Sequence, residues 1–436
     1  MTPLLALLIA ALPPIQLHAA KKTLPNGMTV MASRDGSVPG VAVHLWVNVG
    51  SKDEEPGRTG FAHLFEHLMF MGARYVPYPQ FDTIMEASGG TNNATTVNDL
   101  TLYHEVGPAN LLETFLWMEA DRMATLGQEM TQEKLETQRK IVLNERRQSY
   151  EARPYGQSEL VLYDKLFPEG HPYHWPVIGS AKDLEAATLA DVKTFFARWY
   201  VPSNVTLSMV GDLDEEKALA LADKYFGWMP KAPVPAAKVV PLLTPAPEQR
   251  TQVTDQVELP RIVIAWLSPP SMKPGDAECD LLSQLLGRGK ASRLYLKLVA
   301  ELQIAAEVNV SQESLALQSF FRVEASARPG HTTQELLTAI DAELKKLLAE
   351  GPTQAEIDAA RTGFYAGYSR GAEGLLNRAE MLNRYQHHFG DPTAIGRDLG
   401  RYEAATVQAV HEVARQVLVP GRVIVETWPA AQGGAK

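Results

Sequence analysis

The stretch TGFAHLFEHLMFMG, positions 59–72, places His63, Glu66 and His67 among large apolar side chains. On an α-helix, positions i and i+4 share a face, so His63 and His67 can aim two ring nitrogens at one point, with Glu66 beside them. Two imidazoles with carboxylates form a ligand set suited to zinc, and a catalytic zinc keeps three protein ligands and one position for water. Glu66, adjacent in sequence to a ligand, is placed to reach that water and take its proton as a general base. The order HxxEH reverses the HExxH of commoner zinc peptidases. The competing role is a helix with surface histidines and a solvated glutamate. Phe61, Leu64, Phe65, Leu68, Met69 and Phe70 leave little of this helix to face water. Burying such polar groups costs several kcal/mol unless something binds them.

A third ligand must come from elsewhere, and QEKLETQRKIVLNERRQSY offers Glu133, Glu136 and Glu145. At 100° per residue, Glu145 falls within about 80° of Leu135, Gln138, Ile141 and Val142 on the apolar face, while Glu136 is half a turn out of phase. The alternative for Glu145 is an ion pair with Arg139 or Arg146. His104, in the strand-like TLYHEVG, is a rival ligand ranked below Glu145.

The elements that must position these groups recur along the chain. VAVHLWVNVGS (41–51) and RIVIAWLSPPS (261–271) are strand-like apolar runs carrying Trp46 and Trp266 at an offset of 220; WYVPSNVTLSMVGD and VLVPGRVIVETWP match at 218. Shifting the motif by 219 lands on Leu282, Leu285 and Leu286, an apolar helix face without the polar groups. Between the halves, PKAPVPAAKVVPLLTPAPEQR reads as an extended linker because it is dense in proline and small residues. The expected architecture is α+β: two homologous α/β-sandwich domains with mixed, largely antiparallel sheets and long amphipathic helices. The expected boundaries are 1–20 for a signal peptide, 21–232 for the metal-binding domain, 233–250 for the linker and 251–436 for the second, metal-free domain.

The 436 residues, 45% apolar and 21% charged, support two or three domains. The net charge of −10 argues against a nucleic-acid surface. Cys279 is the sole cysteine, so no internal disulfide can form. The apolar run Leu4–Leu12, followed by Ala19 and Ala20, is too short to span a bilayer and fits a secretory signal peptide, which implies a periplasmic or secreted protein. A buried or disordered N-terminal segment is the alternative. No other run is apolar enough for stable membrane insertion.

Taken together, GFAHLFEHLMFMG, SGGTNNATTVNDLTLYHEV and IVLNERRQSYEARPYG resemble the pitrilysin and insulinase family of zinc metallopeptidases, the inverzincins, in its short processing-peptidase-like branch. The resemblance covers nearly the whole chain. It implies one Zn2+ per chain held by His63, His67 and Glu145, with Glu66 activating the metal-bound water. It also implies a two-domain unit forming half of a clam-shell chamber for unstructured peptides. Asn93, Ala94 and Thr95 match the edge-strand positions where relatives add a peptide strand.

Two positions depart from the family pattern. Gln138 stands where relatives often carry a glutamate supporting the metal site, and an amide can still orient a ligand. Val299 and Ala306 stand where active relatives carry an arginine and a tyrosine that bind substrate and stabilise the oxyanion; loss of such donors costs on the order of 100-fold or more. The expected function is therefore a zinc endopeptidase subunit in a heterodimer, the metal-free partner supplying the arginine and tyrosine, with a homodimer the lesser expectation. The alternative is a non-catalytic peptide-binding or structural subunit.

Overall fold

A computed structural model describes residues 15–419 and 421–430. Strands β1 (Ala20–Thr23), β2 (Thr29–Arg34), β3 (Gly40–Val47), β4 (Thr91–Thr96), β5 (Thr101–Pro108) and β6 (Val205–Gly211) form a sheet ordered β1-β2-β6-β3-β5-β4. Strands β7 (Gln249–Asp255), β8 (Arg261–Ser268), β9 (Ala305–Glu313), β10 (Ser319–Ala327) and β11 (Val423–Pro429) form a second, ordered β7-β11-β8-β10-β9. Without β1 the two orders are the same topology, each with one parallel pair, β2 with β6 and β11 with β7, among antiparallel neighbours. The α+β architecture is thus two copies of one plan, and residues 230–246 between them form neither helix nor strand.

Each sheet is covered on both faces, which is why central strands such as GVAVHLWV and RIVIAWLS read as continuous apolar runs rather than alternating ones. On one face lies each half's own core: Leu45, Phe65, Phe115 and Leu207 in the first, Ile264, Leu282, Phe321 and Ile424 in the second. The other face is covered by the opposite half. Ala379, Leu382 and Tyr385 of the helix Leu375–Phe389 pack on Met31, Ala42 and Val210 of the first sheet. Reciprocally, Leu162 and Leu166 of the helix Gly156–Leu166, with Phe167, pack on Val263, Ala265 and Val425 of the second. Asn383 pins the first exchange, donating to His44 Nδ1 at 2.8 Å and to the His44 carbonyl at 2.9 Å. Burial, reinforced by His104, pushes His44 down to about 3, the neutral state in which Nδ1 can accept.

The repeat is correct in topology but not in the residue matches expected from sequence. Trp46 faces the exchanged helix, its ring 5.4 Å from that of His387, whereas Trp266 lies in the second core. A slip of one residue puts side chains on opposite faces, so Trp46 is not the counterpart of Trp266. The strand-to-helix connection is also shorter in the second half. The two helices begin at Gly60 (φ 85°) and Gly275 (φ 96°), left-handed positions that suit glycine. Matching these starts sets His63, Glu66 and His67 opposite Glu278, Leu281 and Leu282 instead of Leu282, Leu285 and Leu286.

Part of the segment read as a signal peptide, residues 1–14, lies outside the described residues. Ile15, Leu17 and Ala19 pack with the exchanged helix. Among the described residues no helix is long and apolar enough to cross a membrane.

Candidate metal centre

The helix Phe61–Leu68 buries Phe61, Ala62, Leu64, Phe65 and Leu68 against the first core. That packing turns His63, Glu66 and His67 away from the core, and His63, with Glu145 and Thr96, lines a cavity of about 580 Å3. The helix start is held from outside: Glu54 accepts from the backbone N–H of Gly60 at 2.9 Å and of Ala62 at 2.8 Å. Free N–H groups at a helix start are satisfied by such acceptors, and loss of a cap costs about 1 kcal/mol per site. Glu54→Ala should therefore lower stability by about 2 kcal/mol in a denaturant titration. It should also weaken metal retention, since both histidines ride on that helix.

Glu145 comes from the helix Gln132–Arg146, whose start is capped by Thr131 accepting from the Lys134 N–H. Leu135, Gln138 and Val142 are its buried face, and Glu145 follows in phase. Ile141, expected on that face, is instead 46% exposed. Glu136 is held on the outside by Gln132 and Arg139. Neither arginine takes Glu145: Arg139 turns to Glu136 and the Leu184 carbonyl, Arg146 to Glu151 and the Gly179 carbonyl. Immediately after Arg146 the backbone widens into a π-helical turn, Arg147–Glu151, which brings Tyr150 into the same cavity.

The result is a triangle. His63 Nε2 lies 3.7 Å from Glu145 Oε1 and His67 Nε2 lies 3.3 Å from Glu145 Oε2, and one ligand atom from each of the three residues falls within 4.8 Å of the others. A tetrahedral ion with bonds of about 2.0–2.1 Å has ligand atoms about 3.3 Å apart, so these residues fit zinc. Burial and then the neighbouring ring push His63 down to about 4, so it is the neutral form, able to coordinate, that the site favours. Burial works against a charged His67 too, but Glu145 overcomes it and the net shift is upward. Glu145 is held low, first by its bond to His67. Gln138 is buried beside His67 and donates to Met71 Sδ.

Glu66 stands apart from the triangle, its Oε2 accepting from the Thr96 hydroxyl at 2.5 Å. Burial raises its carboxyl, against that hydrogen bond, in the direction that suits a base working near neutrality. Thr96 and Glu54 were not singled out from sequence. Thr96 ends the alternating TNNATT, where its inward phase is a signal, whereas Glu54 sits in a turn-rich stretch that carries none.

The other expected groups fall as follows. Asn93, Ala94 and Thr95 lie on β4, at the edge of the first sheet, with Asn93 and Thr95 exposed. The Ala94 N–H donates to Asn93 Oδ1 and its carbonyl accepts from the Thr95 hydroxyl. His104 is not at the site. It stands opposite His44, the rings stacked at 6.4 Å, on the sheet face turned toward the exchanged helix. Val299 is buried in the second core and Ala306 is exposed on β9. The cavity's far wall comes from the second half, where Arg261 stacks 3.6 Å from the Tyr155 ring centre and pairs with Glu324 at 3.0 Å.

Comparisons with known proteins bear on the whole chain. Residues 29–168 match the family described as Insulinase (Peptidase family M16), and residues 186–364 match the Peptidase M16 inactive domain. The zinc protease PqqE of Helicobacter pylori is 30% identical over 371 residues, covering 83% of this chain and 82% of that protein. An uncharacterised zinc protease of Mycobacterium tuberculosis is 27% identical over 411 residues, covering 93% and 92%. The crystal structure of a protease from Helicobacter pylori superposes with a TM-score of 0.87 at 26% identity, over 95% of this chain and all of that one. The periplasmic protease PqqL from Escherichia coli superposes at 0.78 and 20% identity, over 96% of this chain but 48% of that one.

Proposed function

The chain belongs to the insulinase (peptidase M16) family, and from that premise we propose that it is a zinc-dependent endopeptidase subunit acting on unfolded peptides. The observation that carries this reading is the triangle of His63, His67 and Glu145 with Glu66 beside it and outside it. When bound, zinc supplies Lewis acidity and lowers the pKa of a coordinated water toward about 7. The chain's own groups do the rest. Thr96 holds Glu66 Oε2, leaving Oε1 to take a proton from the attacking water and return it to the leaving amine. Gln138 orients His67. A peptide strand pairs with β4 at Ala94, replacing the bonds that Asn93 and Thr95 now make to its N–H and carbonyl, so affinity comes from backbone groups largely independent of sequence.

The two donor positions expected in the chain's second half are occupied by Val299 and Ala306. A homologous metal-free partner chain supplies the donors across a chamber of two such units. The fold supports this pairing, because this chain corresponds to about half of PqqL. The N-terminal apolar run supports work in the periplasm or outside the cell.

A second reading, a peptide-binding or structural subunit without catalysis, is favoured by the same two positions and by the match of the second half to a domain described as inactive. Metal analysis separates them. The purified full chain should carry one equivalent of zinc, and His67→Ala should lose it; a folded chain that takes up no zinc would leave only the second reading.

A further inference from the structure

A larger cavity, about 780 Å3, lies between the two halves, on the side of the first sheet opposite the metal centre. Its walls come from Trp46 and Leu102 of the first sheet, the turns 97–100 and 314–316, and the helices Gln354–Glu373 and Leu375–Phe389. Arg384, on the last of these, is half-buried and lines the cavity. It makes no hydrogen bond and no ion pair with any described residue. Holding a guanidinium partly out of water without a partner is unfavourable, so its donors are free to take one. By contrast, Arg122 is matched by Glu119 and Glu105, and Arg322 by Glu159 and Glu324.

Most carboxylates in the wall do not relieve it, because Asp99, Asp276, Asp280 and Glu313 are already committed, Glu313 to the Ser311 hydroxyl at 2.7 Å. Asp99 accepts from the Tyr173 hydroxyl at 2.5 Å and the Ala316 N–H at 2.9 Å. Asp276 is paired with Arg401 at 2.7 Å, and Asp280 accepts from the Tyr402 hydroxyl at 2.7 Å. The hydroxyls of Tyr368 and Tyr385 both turn to Asp398. Glu380, one turn before Arg384 on the same helix, adds charge from a distance without an ion pair. The guanidinium therefore keeps its donors for something that enters the cavity. A planar fork of N–H donors fits a carboxylate in a bidentate pair.

We propose that this cavity is a subsite for a peptide carboxylate, with Arg384 as the recognising group and Trp46 and Phe364 flanking the chain that carries it. The proposal rests on the peptidase reading and deepens it. The wall at 97–100 begins one residue after Thr96, which holds Glu66, so a peptide paired with β4 that continues past Thr96 is led to this cavity. Its volume is that of an ordinary ligand pocket, enough for one or two residues. The carboxylate comes from a glutamate or aspartate side chain or from the C-terminus of the peptide.

The test uses the full chain with Glu66→Gln, so that binding is read without cleavage, and fluorescently tagged unstructured peptides measured by anisotropy. One set carries a glutamate walked through each position, each paired with its glutamine twin; a second compares a free C-terminus with a C-terminal amide. The acidic member of one set should bind about 10-fold tighter or more, the size expected for a charge-assisted bidentate pair, and the set that shows the difference identifies the source. Adding Arg384→Met should bring the acidic peptide down to the affinity of its neutral twin while zinc content is unchanged. Equal binding of acid and neutral twins by the chain with Arg384 intact would overturn the subsite and leave the peptidase reading standing, whatever the variant's stability. A preference that persists in Arg384→Met would also overturn it. Failure of every peptide to bind would remove both.

Discussion

Glu66→Gln should keep its zinc at one equivalent while peptide cleavage falls by about 10²–10⁴-fold, the range for removing a general base. The separation of the two effects follows from geometry. In the proposed site the metal is held by the triangle of His63, His67 and Glu145, outside which Glu66 stands, held by Thr96. Glutamine has nearly the same shape and can still accept from the Thr96 hydroxyl through its amide oxygen, so the helix has no reason to move. What glutamine cannot do is accept a proton. Metal analysis alongside the rate of cleavage of a quenched fluorescent peptide reads both quantities on one preparation. Loss of zinc in this variant would mean that Glu66 belongs to the ligand set, and unchanged turnover would remove it from the chemistry.

Purified alone, the chain should cleave such a peptide about 10²–10³-fold more slowly than after mixing with a homologous metal-free chain carrying the arginine and tyrosine, the size of effect expected for absent oxyanion donors. The surroundings of the two positions bear on whether the donors can be restored within the chain. Val299 is 8% exposed and packed in the second core, so Val299→Arg would bury a charge among apolar side chains at a cost of several kcal/mol. Ala306 is exposed on β9, and Ala306→Tyr should be accepted without loss of stability. Thermal melts of the two variants should therefore diverge, with the arginine destabilising and the tyrosine near neutral. Full activity of the unaccompanied chain would refute the divided site.

Much of the centre was legible in HLFEH and in the phase of Glu145 because helix periodicity is a local property: two residues four apart share a face whatever the rest of the chain does. The same rule misjudged Ile141, since phase says which residues share a side but not how wide the covered stripe is. It also misaligned the two halves. In a strand one residue of slip exchanges the faces, and similar apolar runs cannot report their own register, so Trp46 and Trp266 looked equivalent and are not. His104 was a rival until the sheet put it beside His44 on the opposite face.

By itself, then, the sequence determined the side-chain types of the candidate site, their helical spacing, the α+β plan and its repetition, all of which rest on short-range sterics and on the period of apolar residues. The tertiary structure brought Glu145, whose phase the sequence had marked, to the histidine pair, and it alone decided that Thr96 holds Glu66 and Glu54 caps the helix beneath it. It alone decided that each half lends a helix to the other's sheet, leaving Arg384 unpaired in the cavity between them. These are distances between elements, set by which sheet faces are covered and in what register, and no local pattern encodes the approach of two surfaces that meet only when both are folded.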